Sequence, residues 1–117
     1  MKNLKRSECA VLHLGLKRPW YARIDSGEKR IEFREDSPYW RTRITNWIAK
    51  AVLGKTPVLE FRNGYSHYSP RMAFIAGNGR DLLYDYRKAS DPVHHRDLGE
   101  FPKNRWCLFV GERVRLV

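Results

Sequence analysis

The sequence predicts a small α+β domain, built as a mixed, mostly antiparallel β-barrel with flanking short helices. Three observations carry this. About five or six short runs, apolar or alternating, are set apart by Gly, Pro and Asn in the manner of strands. Two stretches near the front repeat their apolar residues at helical spacing. The chain has 117 residues, enough for one hydrophobic core and too few for two, so a single domain over 1–117 is expected.

The elements follow in order. CAVLHLGL, Cys9 to Leu16, is short and largely apolar and reads as a buried strand. RPWYARIDSG reads as a short helix, with Pro19 in the first turn, where a missing N–H costs nothing. Trp20, Tyr21 and Ile24 share a helical face that should meet the core, and Gly27 is placed to end the helix in a left-handed cap. KRIEFRE alternates, with Ile31 and Phe33 on a core face and Arg30, Glu32 and Arg34 on the other. DSPYWRTRITNWIAKAVLG is the clearest helix. Asp36 or Ser37 caps it, Pro38 opens it, and Trp40, Ile44, Trp47, Ile48 and Ala51 form its apolar stripe. Arg41, Arg43 and Lys50 lie off that stripe, and Gly54 and Pro57 end the helix.

PVLEFRNGY reads as a strand running into an Asn63-Gly64 turn, with Leu59 and Phe61 on one face and Glu60 and Arg62 on the other. SHYSPR is a polar loop. RMAFIAGNGRDLLYDY has the pattern of a hairpin across Asn78-Gly79. RKASDPVHHRDLGEFPKN has no periodicity and reads as a long surface loop with room for one helical turn. RWCLFVGERVRLV closes the chain as a strand in which Gly111 marks a bulge or tight turn.

Charge narrows the function. Lys and Arg number 23 against 13 Asp and Glu, a formal +10, which favours polyanionic partners: nucleic acid first, acidic membrane surfaces second. No apolar segment approaches membrane-spanning length, so no membrane partner is expected. The N-terminus lacks a small-residue cleavage site and does not read as a signal peptide, so a cytoplasmic protein is expected. Cys9 and Cys107 lie far apart in apolar runs and read as two buried thiols. GKT at Gly54–Thr56 is not a P-loop, because the position that needs the first glycine is Ala49. His94 and His95, with Asp91 and Asp97, lack a third ligand at zinc spacing, so no metal and no cofactor are expected.

The densest charge lies in GEKRIEFRE, Gly27 to Glu35. Glu32 and Arg34 share a strand face, so the carboxylate can hold the guanidinium in one orientation and leave other donors for a phosphate or base edge. Lys29 stands at the strand start, and Lys17 closes the preceding strand nearby. A wet strand of weak ion pairs is the plain alternative.

The pattern Gly27-x-Lys29-x-x-Glu32-x-Arg34, after LGLKRPWYARIDSG, resembles the signature of the ASCH superfamily, relatives of the PUA RNA-binding fold. The likeness covers about residues 11–35, and LEFRNGY and WCLFVGERV look like the small single-domain phage and bacterial members. It implies a small PUA-like barrel with a cleft lined by this strand, and RNA or modified-nucleoside binding. Some members are hydrolases, either amidohydrolases of acylated cytidine or ribonucleases. In the amidohydrolases a lysine and a threonine carry the chemistry with a distal glutamate. Lys29 and Arg34 fit that pattern, but Glu32 stands at the threonine position.

Binding of RNA or a nucleotide is therefore the first expectation, through Lys17, Lys29, Glu32 and Arg34, with Arg62 and Tyr65 across the cleft and Arg41, Arg43 and Lys50 tracking phosphates. FRNGYSHYSPR interleaves bases with aromatics as such surfaces do, and Tyr39 or Trp40 could flank the cleft. A hydrolase using Lys29 with Glu32 or Glu60 is the second expectation, with Glu60 opposite Lys29 as an acid/base pair. A phage-type accessory protein that meets an acidic protein partner is the third.

Overall fold

The computed structural model describes residues 1–64, 66–77, 82–85, 93–95, 99–101 and 105–117. In chain order these form β1 (Lys2–Leu4), a 3₁₀ turn (Arg6–Glu8), β2 (Cys9–Leu16), α1 (Arg18–Asp25), β3 (Ile31–Glu35), α2 (Pro38–Val52), β4 (Thr56–Asn63), β5 (Arg71–Ala76), β6 (Leu83–Asp85), β7 (Val93–His95), β8 (Gly99–Phe101) and β9 (Arg105–Leu116). The architecture is α+β: among the described residues there are a mixed sheet, a separate β7–β8 pair and two α-helices.

β9 organises the sheet. Its second half pairs with β1 and β5, in register at Val114 with Lys2 and Ala73. Its first half pairs with β3 and β6, in register at Leu108 with Glu32 and Leu83. Beyond β5 the sheet continues through β4 to β2. The β1–β9 and β2–β4 pairs are parallel and the others antiparallel. The chain crosses between parallel β2 and β4 through α1, β3 and α2, since a parallel pair needs a long connection.

The sheet is not closed into a barrel, contrary to the sequence expectation. Among the described residues β2 and β3 do not pair. They are linked by a side chain instead, with Arg34 Nη2 donating to Gly15 O at 3.1 Å. The expected hairpin pairing across Asn78-Gly79 is not found either: among the described residues β5 and β6 do not pair with each other, and both pair with β9. The turn itself lies outside the described residues. The segment read as a long loop contains the β7–β8 ladder, Val93 to Phe101, consistent with the extended preference of Val and Phe.

Side-chain alternation fills both faces of the sheet. Leu12, Leu14, Leu16, Leu59, Phe61, Phe74, Trp106 and Leu108 meet Ile24 of α1 and Ile44 and Trp47 of α2 in the main core. Trp47 Nε1 donates to Ala10 O at 2.9 Å, tying α2 to β2. Val58, Ala73 and Val114 form a second cluster on the opposite face, with Cys9 half-buried at its edge. The α2 stripe packs as expected, and Ser37 is the cap, accepting from Trp40 N–H. In α1 only Ile24 is fully buried, Tyr21 is half-buried, and Trp20 is 44% exposed, so Trp20 is not a core residue. Cys107 is fully buried, and burial pushes its thiol up to about 12. No helix among the described residues is long and apolar enough to cross a membrane.

Gly111 sits where the β5–β9 register shifts, as the bulge reading requires. A Cβ there would lie 2.6 Å from Ile75 O and 2.7 Å from Gly77 O. Both are backbone atoms and cannot swing aside. Gly111→Ala is expected to destabilise the fold by about 1–3 kcal/mol, read as a lower urea midpoint.

Candidate functional site

β3 carries the site, and both of its faces are covered, not the apolar one alone. Ile31 and Phe33 join Cys107 and Phe109 in a small satellite cluster. Glu32 and Arg34 lie opposite Leu108 and Trp106, which belong to the main core. Glu32 is consequently only 4% exposed.

A buried carboxylate must be matched by charge and hydrogen bonds. Oε1 of Glu32 accepts from Lys29 Nζ at 2.9 Å and from the Phe33 N–H at 3.0 Å. Oε2 accepts from Arg34 Nη2 at 2.7 Å. Glu32 is thus a bridge between the two cations of its motif. Local backbone geometry delivers Lys29: α1 ends at Gly27, whose φ of 81° only glycine adopts freely, and Lys29 N–H then donates to Arg23 O. Arg34 is held further by Gly15 O and by the Trp40 ring, 4.8 Å from its guanidinium carbon. Its Nε is buried without a hydrogen-bond partner among the described residues.

Gly15, Leu16, Lys17, Trp20, Lys29, Glu32, Phe33 and Arg34 line a cleft of about 440 Å³. Lys17, Lys29 and Arg34 outnumber the one carboxylate there, so the cleft is cationic. Lys29 Nζ and the Arg23 guanidinium each lie 4.9 Å from the centre of the Trp20 ring. A second cavity of about 200 Å³ adjoins this cleft and shares Gly15 and Arg34 with it. Its other lining includes His13, Tyr39, Trp40, Glu60, Arg62 and Arg71.

Four expected residues, Lys17, Lys29, Glu32 and Arg34, therefore meet in one cleft. Arg62 does not line that cleft; it lies in the adjoining cavity, beside Arg34. Tyr65 lies outside the described residues, as do Asp91 and Asp97. Arg41 and Arg43 line neither cavity. Arg41 grips Asp36, and Arg43 covers the Tyr39 ring at 3.3 Å. Glu60 and Lys29 are not paired, because strand register sets Glu60 beside His13. Glu60 accepts from Arg6 Nη2 at 2.9 Å and Nη1 at 3.3 Å, and lies 3.1 Å from His13 Nδ1. The His13 hydrogen bond and the Arg6 contact hold its carboxyl down to about 2, against burial, which acts to raise it.

Sequence reasoning missed Trp20, Gly15 and His13. Gly15 carried a signal, a lone glycine in an apolar strand where another group approaches closely. Trp20 carried one too, in the basic Lys17, Arg18 and Arg23 around it. Among the described residues no group of His, Cys, Asp and Glu could hold a metal.

Removing Glu32 leaves the half-buried Arg34 without its counter-charge. Glu32→Ala should cost about 3–5 kcal/mol in urea unfolding, whereas Asp36→Ala, which frees the exposed Arg41, should cost about 1 kcal/mol at most beyond any packing change. Glu60 has its folded pKa below its ordinary value of 4.5, so its contribution to stability is complete above that value and is lost as pH falls toward 2. Wild type should therefore lose more stability than Glu60→Gln between about pH 5 and about pH 2.5, measured as urea midpoints.

No family model matches the chain, and no curated protein or solved structure matches it.

Proposed function

We propose that this chain is an RNA- or nucleotide-binding domain of ASCH-like type, with the β3 cleft as its ligand site. The observation that carries the reading is the convergence of Lys17, Lys29 and Arg34 with the exposed Trp20 on one cleft, above a carboxylate already satisfied by protein donors. The cleft has the volume of a small-ligand site. Its excess of cations suits a phosphate, and Trp20 offers aromatic surface to a base. The bridge through Glu32 fixes Lys29 and Arg34 before any ligand arrives, which lowers the entropy lost on binding. The formal charge of +10 adds long-range attraction for a polyanion.

Short single-stranded RNA should bind with an affinity that falls steeply as salt rises. Lys17 is exposed and makes no side-chain hydrogen bond among the described residues, so Lys17→Ala should reduce the salt slope by about 1 and leave the fold intact. Trp20→Ala should weaken binding by about 1–3 kcal/mol. Fluorescence anisotropy with labelled RNA checks both. Absence of binding to any RNA or nucleotide at low salt sinks the proposal.

A further inference from the structure

The cavity beside the β3 cleft has its own charge logic. Arg34, Arg62 and Arg71 line it together with the carboxylate of Glu60. That carboxylate is 5% exposed and already held by Arg6 and His13. The Arg62 side chain makes no hydrogen bond or ion pair among the described residues. Arg71 approaches Glu60 only to 3.9 Å and donates instead to His67 O. Arg34 spends Nη2 on Glu32 and Gly15, while its Nη1 makes no bond among the described residues and is not sealed as Nε is. Guanidinium donors without protein acceptors thus collect in one concavity, and their natural partner is a phosphate.

Size decides what enters. The cleft is large enough for a nucleotide, but the adjoining space of about 200 Å³ falls below the usual range for a whole small ligand. A phosphate group fits it; a second complete nucleotide does not. Because Arg34 and Gly15 belong to both concavities, a ligand can pass from one to the other without leaving the arginine.

We propose that the second cavity binds the next phosphate of a single-stranded RNA whose neighbouring nucleotide occupies the cleft. Arg34 is the hinge between the two positions, and Arg62 and Arg71 hold the second phosphate. The inference rests on the binding role of the cleft and deepens it: the ligand is a strand with at least two phosphates, not a free nucleoside or mononucleotide.

The test compares a nucleoside 5′-monophosphate with a 5′-phosphorylated dinucleotide by calorimetry, at about 0.15 M salt so that distant charges are screened. The dinucleotide is expected to bind at least about tenfold more tightly, the gain from one set of charge-assisted contacts. Arg62→Ala should collapse that ratio toward one. Arg115→Ala removes an exposed charge near the end of β9 that lines neither cavity, and should leave the ratio standing. Arg71→Ala gives a second reading of the same ratio should Arg62→Ala fail to fold. Equal affinities for the two ligands in wild type overturn the inference while leaving the cleft's binding role intact. So does an equal fall of the ratio in Arg62→Ala and Arg115→Ala, which would make the gain diffuse. If neither ligand binds wild type at any salt, both proposals fail together.

Discussion

The carboxylate of Glu32 is the constraint on which this structure turns. It sits on the face of β3 that looks into the main core, where an unpaired charge is untenable. Lys29, Arg34 and the Phe33 N–H answer it. Each answer places something else. Arg34 reaches Gly15 of β2 and lies against Trp40 at the start of α2. Lys29 leans on Trp20 of α1. One buried charge thereby ties β2, β3 and both helices together in the gap where the sheet does not close.

A parallel arrangement exists on the other face of the sheet. Glu60 of β4 is buried there and is held by Arg6 from the 3₁₀ turn and His13 from β2. The two buried glutamates thus flank β2 from opposite faces, and each collects cations. The difference lies in their surroundings. Glu32 orients Lys29 and Arg34 with one hydrogen bond to each, whereas the Glu60 cavity leaves the Arg62 side chain without a protein acceptor among the described residues. In both places the cations outnumber the carboxylate they surround.

The geometry also accounts for rigidity. Lys29 and Arg34, half-buried and held by hydrogen bonds and aromatic rings, lose little further freedom when a ligand arrives, so the cost of ordering long side chains is met during folding. Arg41 and Arg43, spent on Asp36 and Tyr39 outside the cavities, illustrate the contrary case, in which a basic helix face is occupied by its own neighbours.

The sequence by itself determined much of the local structure. Apolar alternation located β2, β3 and β4. Asp36 or Ser37 with Pro38 set the start of α2, Gly27 ended α1, and Gly111 marked a bulge or tight turn, because each depends only on near neighbours and backbone sterics. The spacing of Lys29, Glu32 and Arg34 also showed that they could meet. Only the tertiary structure decided that the polar face of β3 is covered as well as the apolar one, since alternation distinguishes two faces but not what packs on each. It likewise separated Glu60 from Lys29, exposed Trp20, and moved Arg62 from the cleft to the cavity beside it. Those outcomes depend on strand register and on which strand β9 accepts as neighbour. Contacts between residues far apart in the chain set both, and no local pattern encodes them.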